Sequence, residues 1–138
     1  MADRGGAVRE FFSEFQRRGR QADPGASAEL FAETFLAAGP DGARAVGRGE
    51  FGPVLRKRRE WLAGLGSDGA ELVSVEETWL DERYVLAATR WRMRFGAKGE
   101  IEVVSSYLVD MGGASPAILV YLAHQDLMAA LREAGIVG

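Results

Sequence analysis

His124 is the only histidine of the chain, and it stands two residues ahead of Asp126 in the run Tyr121-Leu-Ala-His-Gln-Asp126. An imidazole titrating near neutrality, with a carboxylate to orient it, is enough to take up and return a proton, so His124 and Asp126 are the candidate acid–base pair. The same two residues also suit a structural role, with His124 hydrogen-bonded at a sheet edge and Asp126 capping a helix. Two further charges stand out because their neighbours are apolar. Glu77 falls between Val75 and Trp79 on an apolar strand face, and Arg58 falls within the apolar stripe of a helix. A charge taken out of water must be paired or neutralised, so each marks either a polar spot in a pocket or the boundary of a face. Trp61, Trp91, Tyr107 and Tyr121 are candidates for the wall of an apolar cavity, or for plain core. One histidine and no cysteine would leave carboxylates to complete any metal site, and no metal is expected. No serine or cysteine nucleophile signature is present.

The elements that must position these residues follow from periodicity. Val8, Phe11, Phe12 and Phe15 recur at i, i+3, i+4 and i+7, which predicts a helix from about Gly6 to Gly19, with Arg17, Arg18 and Arg20 complementing its carbonyl end. Asp23-Pro24 at one end and Gly39-Pro40 at the other predict a second helix over 24–38, enclosing Phe31, Phe35 and Leu36. A short strand over 44–48 then leads into a third helix from about Glu50, with Pro53 in its first turn. The charge run Arg56-Lys57-Arg58-Arg59-Glu60 reads as the solvated face of that helix.

Beyond Ala70 the period becomes two, and four strands follow. Val73, Val75, Glu77 and Trp79 share one face of the first; Val85, Ala87, Thr89, Trp91, Met93 and Phe95 share one face of the next, with Arg90, Arg92 and Arg94 opposite. A turn at Gly96-Ala97-Lys98 sets Arg92 across from Glu102 and Trp91 across from Val103. The last strand, about Ala117–His124, carries apolar residues on both faces, so its orientation is open. A short helix capped by Asp126 closes the chain.

Composition narrows the functional classes. The 138 residues, 47% of them hydrophobic, suit a single domain over 1–138 with one substantial core. A net charge of −3 argues against nucleic acid as a partner, since phosphate backbones call for clustered, unneutralised Lys and Arg. The start Met-Ala-Asp-Arg-Gly-Gly has no apolar leader and no run is long enough to span a bilayer, so a cytoplasmic, membrane-free protein is expected. Gly47-Arg48-Gly49-Glu50-Phe51-Gly52 matches the dinucleotide fingerprint literally, but that fingerprint needs repeated βαβ units, and no nucleotide or other cofactor is expected.

Two N-terminal helices, the Ala45-Val-Gly-Arg-Gly-Glu-Phe51 entry to a third, four long strands and the Tyr121–Asp126 ending together resemble the nuclear transport factor 2-like superfamily, in particular its SnoaL-like branch. The resemblance covers nearly the whole chain. It implies an α+β, cone-shaped fold, with N-terminal helices packed on a curved antiparallel sheet, an enclosed cavity and a short C-terminal helix. It also implies a homodimer through the outer face of the sheet. Activities in the superfamily run from ketosteroid isomerase, scytalone dehydratase, limonene epoxide hydrolase and polyketide cyclases to non-catalytic association domains, so the fold does not settle the function. The isomerase's helix 1 tyrosine is replaced here by Phe11, Phe12 and Phe15, the dehydratase's second histidine is missing, and the hydrolase's Asp-Arg-Asp set has no counterpart. A cyclase-like acid or base would correspond to His124 or Asp126.

The leading expectation is a pocket protein for a small, largely apolar molecule, with Trp61, Trp91, Tyr107 and Tyr121 as walls and Glu77, Arg58 or His124 as polar contacts. An acid–base enzyme of the isomerase, cyclase or dehydratase kind and a dimeric association module are the alternatives. A cavity below about 300 Å³, the lower end for ligand pockets, would remove both binding and catalysis and leave the association module.

Overall fold

The computed structural model describes residues 6–21 and 23–137; the rest of the 1–138 span, Met1–Gly5 included, lies outside the described residues. α1 (Ala7–Gly19) buries Val8, Phe11 and Phe12 against the sheet. Its last turn is held by Glu14, whose carboxylate meets Arg17 at 2.6 Å and Arg18 at 2.7 Å.

Asp23 caps as its spacing predicts, accepting from the Gly25 N–H at 3.1 Å. What it caps is a short 3-10 segment, Pro24–Leu30, and not a helix running to residue 38. The chain continues instead as strand β1 (Phe31–Gly39), turning back as β2 (Gly42–Gly47) with Phe35 opposite Val46 and Ala37 opposite Arg44. The reason is an ambiguity of spacing. Phe31 and Phe35 are four residues apart, which puts them on one face of a helix and equally on one face of a strand. Leu36, which only the helical face would bury, is 41% exposed.

α2 (Arg48–Gly64) begins two residues earlier than the expected Glu50. Pro53 therefore falls past the first turn and removes one intrahelical bond. The chain then runs β3 (Ala70–Trp79), β4 (Tyr84–Arg94), β5 (Glu100–Asp110) and β6 (Ala117–Ala123). The sheet order is β2-β1-β6-β5-β4-β3. All neighbours are antiparallel except β1 and β6, which run parallel because the chain returns to β1 only after the rest of the sheet is laid down. Arg92 stands opposite Glu102 and Trp91 opposite Val103, the register that matching charge with charge and apolar with apolar requires.

Pairing slips by a residue or more at Phe31/Leu36, Leu72/Ser74 and Leu108/Val109. Such slips bend a strand and increase its twist, and α1 and α2 fill the hollow that results. Phe12, Val85, Val109 and Ile118 are fully buried there. α3 (Leu127–Glu133), capped by Asp126 through Met128 N at 2.9 Å, seats Leu131 on Leu62, Phe95 and Ile101 as a second cluster at one end. The outer face of the sheet carries an ion-pair ladder of Arg90, Arg92 and Arg94 with Glu71, Glu100 and Glu102. No described helix is long and apolar enough to cross a membrane.

Candidate binding site

The hollow between helices and sheet is not filled completely. A cavity of about 180 Å³ remains. β-strand alternation decides its floor. Trp91 on β4, Val103, Ser105 and Tyr107 on β5, and Tyr121 on β6 all fall on the concave face. Phe15 of α1 stands over them, its ring centroid 5.8 Å from those of Trp91, Tyr107 and Phe31. Tyr107 and Tyr121 lie face to face at 5.3 Å with 12° between their planes. Leu55, Arg58, Arg59 and Leu62 form the α2 wall at the i, i+3, i+4, i+7 spacing of a helix stripe.

The polar groups on this floor divide into a closed set and an open one. Trp91 Nε1 donates to Thr89 Oγ1 at 2.7 Å, and Thr89 Oγ1 donates to the Ser105 carbonyl at 2.8 Å. That chain fixes the Trp91 ring and leaves nothing over. Ser105 Oγ donates to the Tyr107 hydroxyl at 3.5 Å, the outer limit of a hydrogen bond. Burial pushes the Tyr107 phenol well above its ordinary range, helped by Tyr121 and opposed by Ser105 and the Arg58 charge. Tyr107 is therefore neutral at any physiological pH, and among the described residues its hydroxyl is hydrogen-bonded to Ser105 Oγ alone.

The mouth lies where the end of α1, the middle of α2 and the loop before β3 meet. Arg20 Nε donates to the Ala70 carbonyl at 3.2 Å, and Arg59 donates to the Gly19 carbonyl. Arg58 is exposed and makes no hydrogen bond or ion pair with a described residue.

Four of the residues singled out from the sequence, Arg58, Trp91, Tyr107 and Tyr121, line this cavity. Trp61 does not. It sits beside the α2 stripe, one residue short of Leu62, and is 41% exposed. Glu77 faces the concave side by register, opposite Ala87, yet β3 is an edge strand and leaves it exposed, its carboxylate accepting from Trp79 Nε1 at 2.9 Å. His124 follows Ala123 on the opposite face from Tyr121, where Ser106 Oγ lies 2.7 Å from its Nε2. Asp126 is engaged at the α3 cap. His124 is thus on the outer side of the sheet, away from the cavity, and Asp126 is not among the cavity-lining residues. Ser105 escaped notice, although Val103, Ser105 and Tyr107 alternate on one strand and the period of two places all three together. Among the described residues no cluster of three or more His, Cys, Asp or Glu could hold a metal.

No protein-family model and no curated protein matches the sequence. Solved structures do. A nuclear transport factor 2-like protein with a cystatin-like fold from Novosphingobium aromaticivorans aligns with a TM-score of 0.68, covering 92% of this chain and 85% of its own at 16% identity. The chain has the nuclear transport factor 2-like fold. A second such protein, from Shewanella oneidensis, gives a TM-score of 0.64 at 14% identity, over 86% of this chain and 99% of its own. The beta subunit of benzoate 1,2-dioxygenase from Burkholderia mallei gives 0.65 at 12% identity, over 94% and 95%. At such identities the likeness is one of fold, and the cavity must be judged by its own dimensions.

Those dimensions correct one expectation. At about 180 Å³ the cavity falls below the roughly 300 Å³ set from the sequence as the floor for binding and catalysis, and a drug-sized ligand does not fit. That lower bound concerns large ligands, however. An apolar cavity of roughly 150 Å³ accepts benzene, and a nuclear transport factor 2-like cavity of this size can take one ring.

Proposed function

We propose that this protein is a SnoaL-like pocket protein that binds a small, mainly apolar molecule of one ring inside the nuclear transport factor 2-like cone. The observation that carries the reading is the aromatic-walled cavity with the buried Tyr107 hydroxyl at its floor, held only by a 3.5 Å contact with Ser105 Oγ. A hydrogen bond at that outer limit is weak, and a guest with one acceptor oxygen would give the hydroxyl a better partner. His124 lies on the other face and Asp126 caps α3, and neither lines the cavity, so turnover inside the cavity is not part of this reading. A thermal-shift comparison tests it, since a guest that binds only the native state raises apparent stability. Single-ring alcohols and amides should raise the melting temperature, two-ring homologues should not, and Val103→Phe, which projects a ring into the cavity, should abolish the effect. Equal shifts in wild type and Val103→Phe would remove the pocket from the account.

A second observation favours association as well. Leu36, Leu86 and Leu122 are 40–41% exposed on the outer face of the sheet, among Val104, Leu108 and Val120. We infer that this face joins two copies as a homodimer, beside rather than instead of ligand binding.

A further inference from the structure

The arginines of α1, α2 and their flanks divide by what they meet: Arg48 donates to the Phe31 carbonyl at 3.3 Å, while others reach carboxylates. Arg17 and Arg18 share the carboxylate of Glu14, and Arg56 holds Asp23 at 2.9 Å. Three others, Arg20, Arg58 and Arg59, line the cavity, and its lining contains no Asp or Glu. Arg20 and Arg59 each donate to a neutral backbone carbonyl, and Arg58 has no hydrogen-bonding or ion-pair partner among the described residues. The mouth therefore gathers three arginines that form no ion pair with a described carboxylate, with Asp68 in the adjoining loop between Ser67 and Gly69, on a chain whose net charge is −3. The carbonyl end of α1 also opposes the arginines' charge, and Arg59 already covers the Gly19 carbonyl there. Below the mouth the walls are Phe15, Phe31, Trp91 and Val103.

We propose that the cavity selects a small single-ring carboxylate, with the ring between Phe15, Phe31 and Trp91 and the carboxylate at the mouth on Arg58. This rests on the pocket reading above and adds the charge of the guest. A guanidinium meets a carboxylate through two parallel N–H donors, and Arg58 has none of its donors engaged by a described residue, whereas Arg20 and Arg59 are each anchored by one. Arg20 and Arg59 are held in place by their backbone contacts and add attraction without competing for the same geometry. A ring with a charged end also suits the architecture: the apolar part lies in the buried part of the hollow, and the charge stays where water still reaches it, which lowers the cost of desolvating it.

Phenylacetate and its neutral isostere phenylacetamide separate the two levels of the argument in calorimetric titrations of the full chain. The expected result is that phenylacetate binds about tenfold or more tightly than phenylacetamide, the difference a charge-assisted hydrogen bond supplies, and that this margin shrinks as salt is raised. Arg58→Gln should bring phenylacetate to the level of phenylacetamide and leave phenylacetamide unchanged. If the two compounds bind equally, or Arg58→Gln leaves the margin intact, the carboxylate assignment falls and the apolar pocket stands. If neither binds, nor any neutral single-ring compound, both fall together. Circular dichroism of Arg58→Gln confirms that an exposed side chain has been removed without loss of fold, and Arg58→Lys, which keeps the charge and loses the fork, should retain part of the margin.

Discussion

Thr89→Val is the most exacting test of how the cavity floor is held. Thr89 is 1% exposed, and its single oxygen accepts from Trp91 Nε1 at 2.7 Å while donating to the Ser105 carbonyl at 2.8 Å. Valine reproduces the shape and the strand preference, so packing changes little and the oxygen alone is lost. Two groups are left behind. The Ser105 carbonyl keeps a second lone pair, but the Trp91 N–H, on a residue 5% exposed, loses its acceptor. An unsatisfied buried donor costs about 1–3 kcal/mol, and the extra buried methyl offsets part of it. The expected loss is about 2 kcal/mol, or about 6–10 °C in melting temperature for a chain of this length. Urea unfolding measures it, with unchanged slope confirming that the same surface is exposed.

Trp91→Phe supplies the control, because phenylalanine fills the wall without a donor to strand. In that background Thr89→Val should cost less than about 0.5 kcal/mol, giving a coupling of about 1.5 kcal/mol between the two positions. Equal costs in both backgrounds would refute the reasoning, since the loss would then come from the Ser105 carbonyl or from packing. A negligible cost in wild type would refute it differently, by showing that the indole finds another acceptor, such as water within the cavity.

Three other perturbations follow from the same geometry. Asp126→Ala should destabilise by about 1 kcal/mol through loss of the α3 cap, whereas Asp126→Asn, an equally good cap, should cost almost nothing; a large effect of Asn would mean that the charge matters. The Tyr107 phenol is raised above its ordinary value of 10.0 by burial, so the unfolded chain ionises first. Its contribution to stability is complete below pH 10 and is lost as pH rises further. Phenolate absorbance assigned to Tyr107 by comparison with Tyr107→Phe should then appear only with unfolding, and a smooth titration before unfolding would contradict the burial argument. Leu122→Lys should convert a dimer to a monomer in size-exclusion chromatography with light scattering; a wild-type monomer at tens of micromolar would remove the proposed interface.

The sheet was legible wherever two signals kept the same phase. In β4 and β5, arginines and glutamates alternate with large apolar residues, so charge and hydrophobicity both specify one register, and a shift of one residue would violate both. β1 had no such agreement. Phe31 and Phe35 satisfy both periods, and the capping signal at Asp23-Pro24 is real but belongs to a 3-10 segment. β6 failed for another reason. Between Ile118 and Val120 the pairing with β5 slips, so residues on either side of Leu119 reverse their expected facing, and a strict period of two applied across the slip cannot orient the strand.

The site was legible to the extent that it follows from strand alternation and helix stripe, and illegible where partners distant in sequence decide. Rarity was a poor guide: the single histidine and the out-of-place Glu77 lie on the outer face and on an edge strand. The run Arg56-Lys57-Arg58-Arg59 shows why. Each residue turns about 100° from the last on a helix, so four adjacent cations meet different surroundings. Arg56 reaches Asp23, Lys57 is exposed, Arg59 turns to the Gly19 carbonyl, and Arg58 shares the cavity stripe with Leu55 and Leu62. A run of charge ordinarily marks a solvated face, and for Lys57 it does. What distinguishes Arg58 is that no described carboxylate comes to meet it, and that depends on where α1, the Asp23 loop and the start of β3 are carried by the fold. The chemistry proposed for this cavity therefore resides in the pairing of charges between elements, which no spacing within one element can encode.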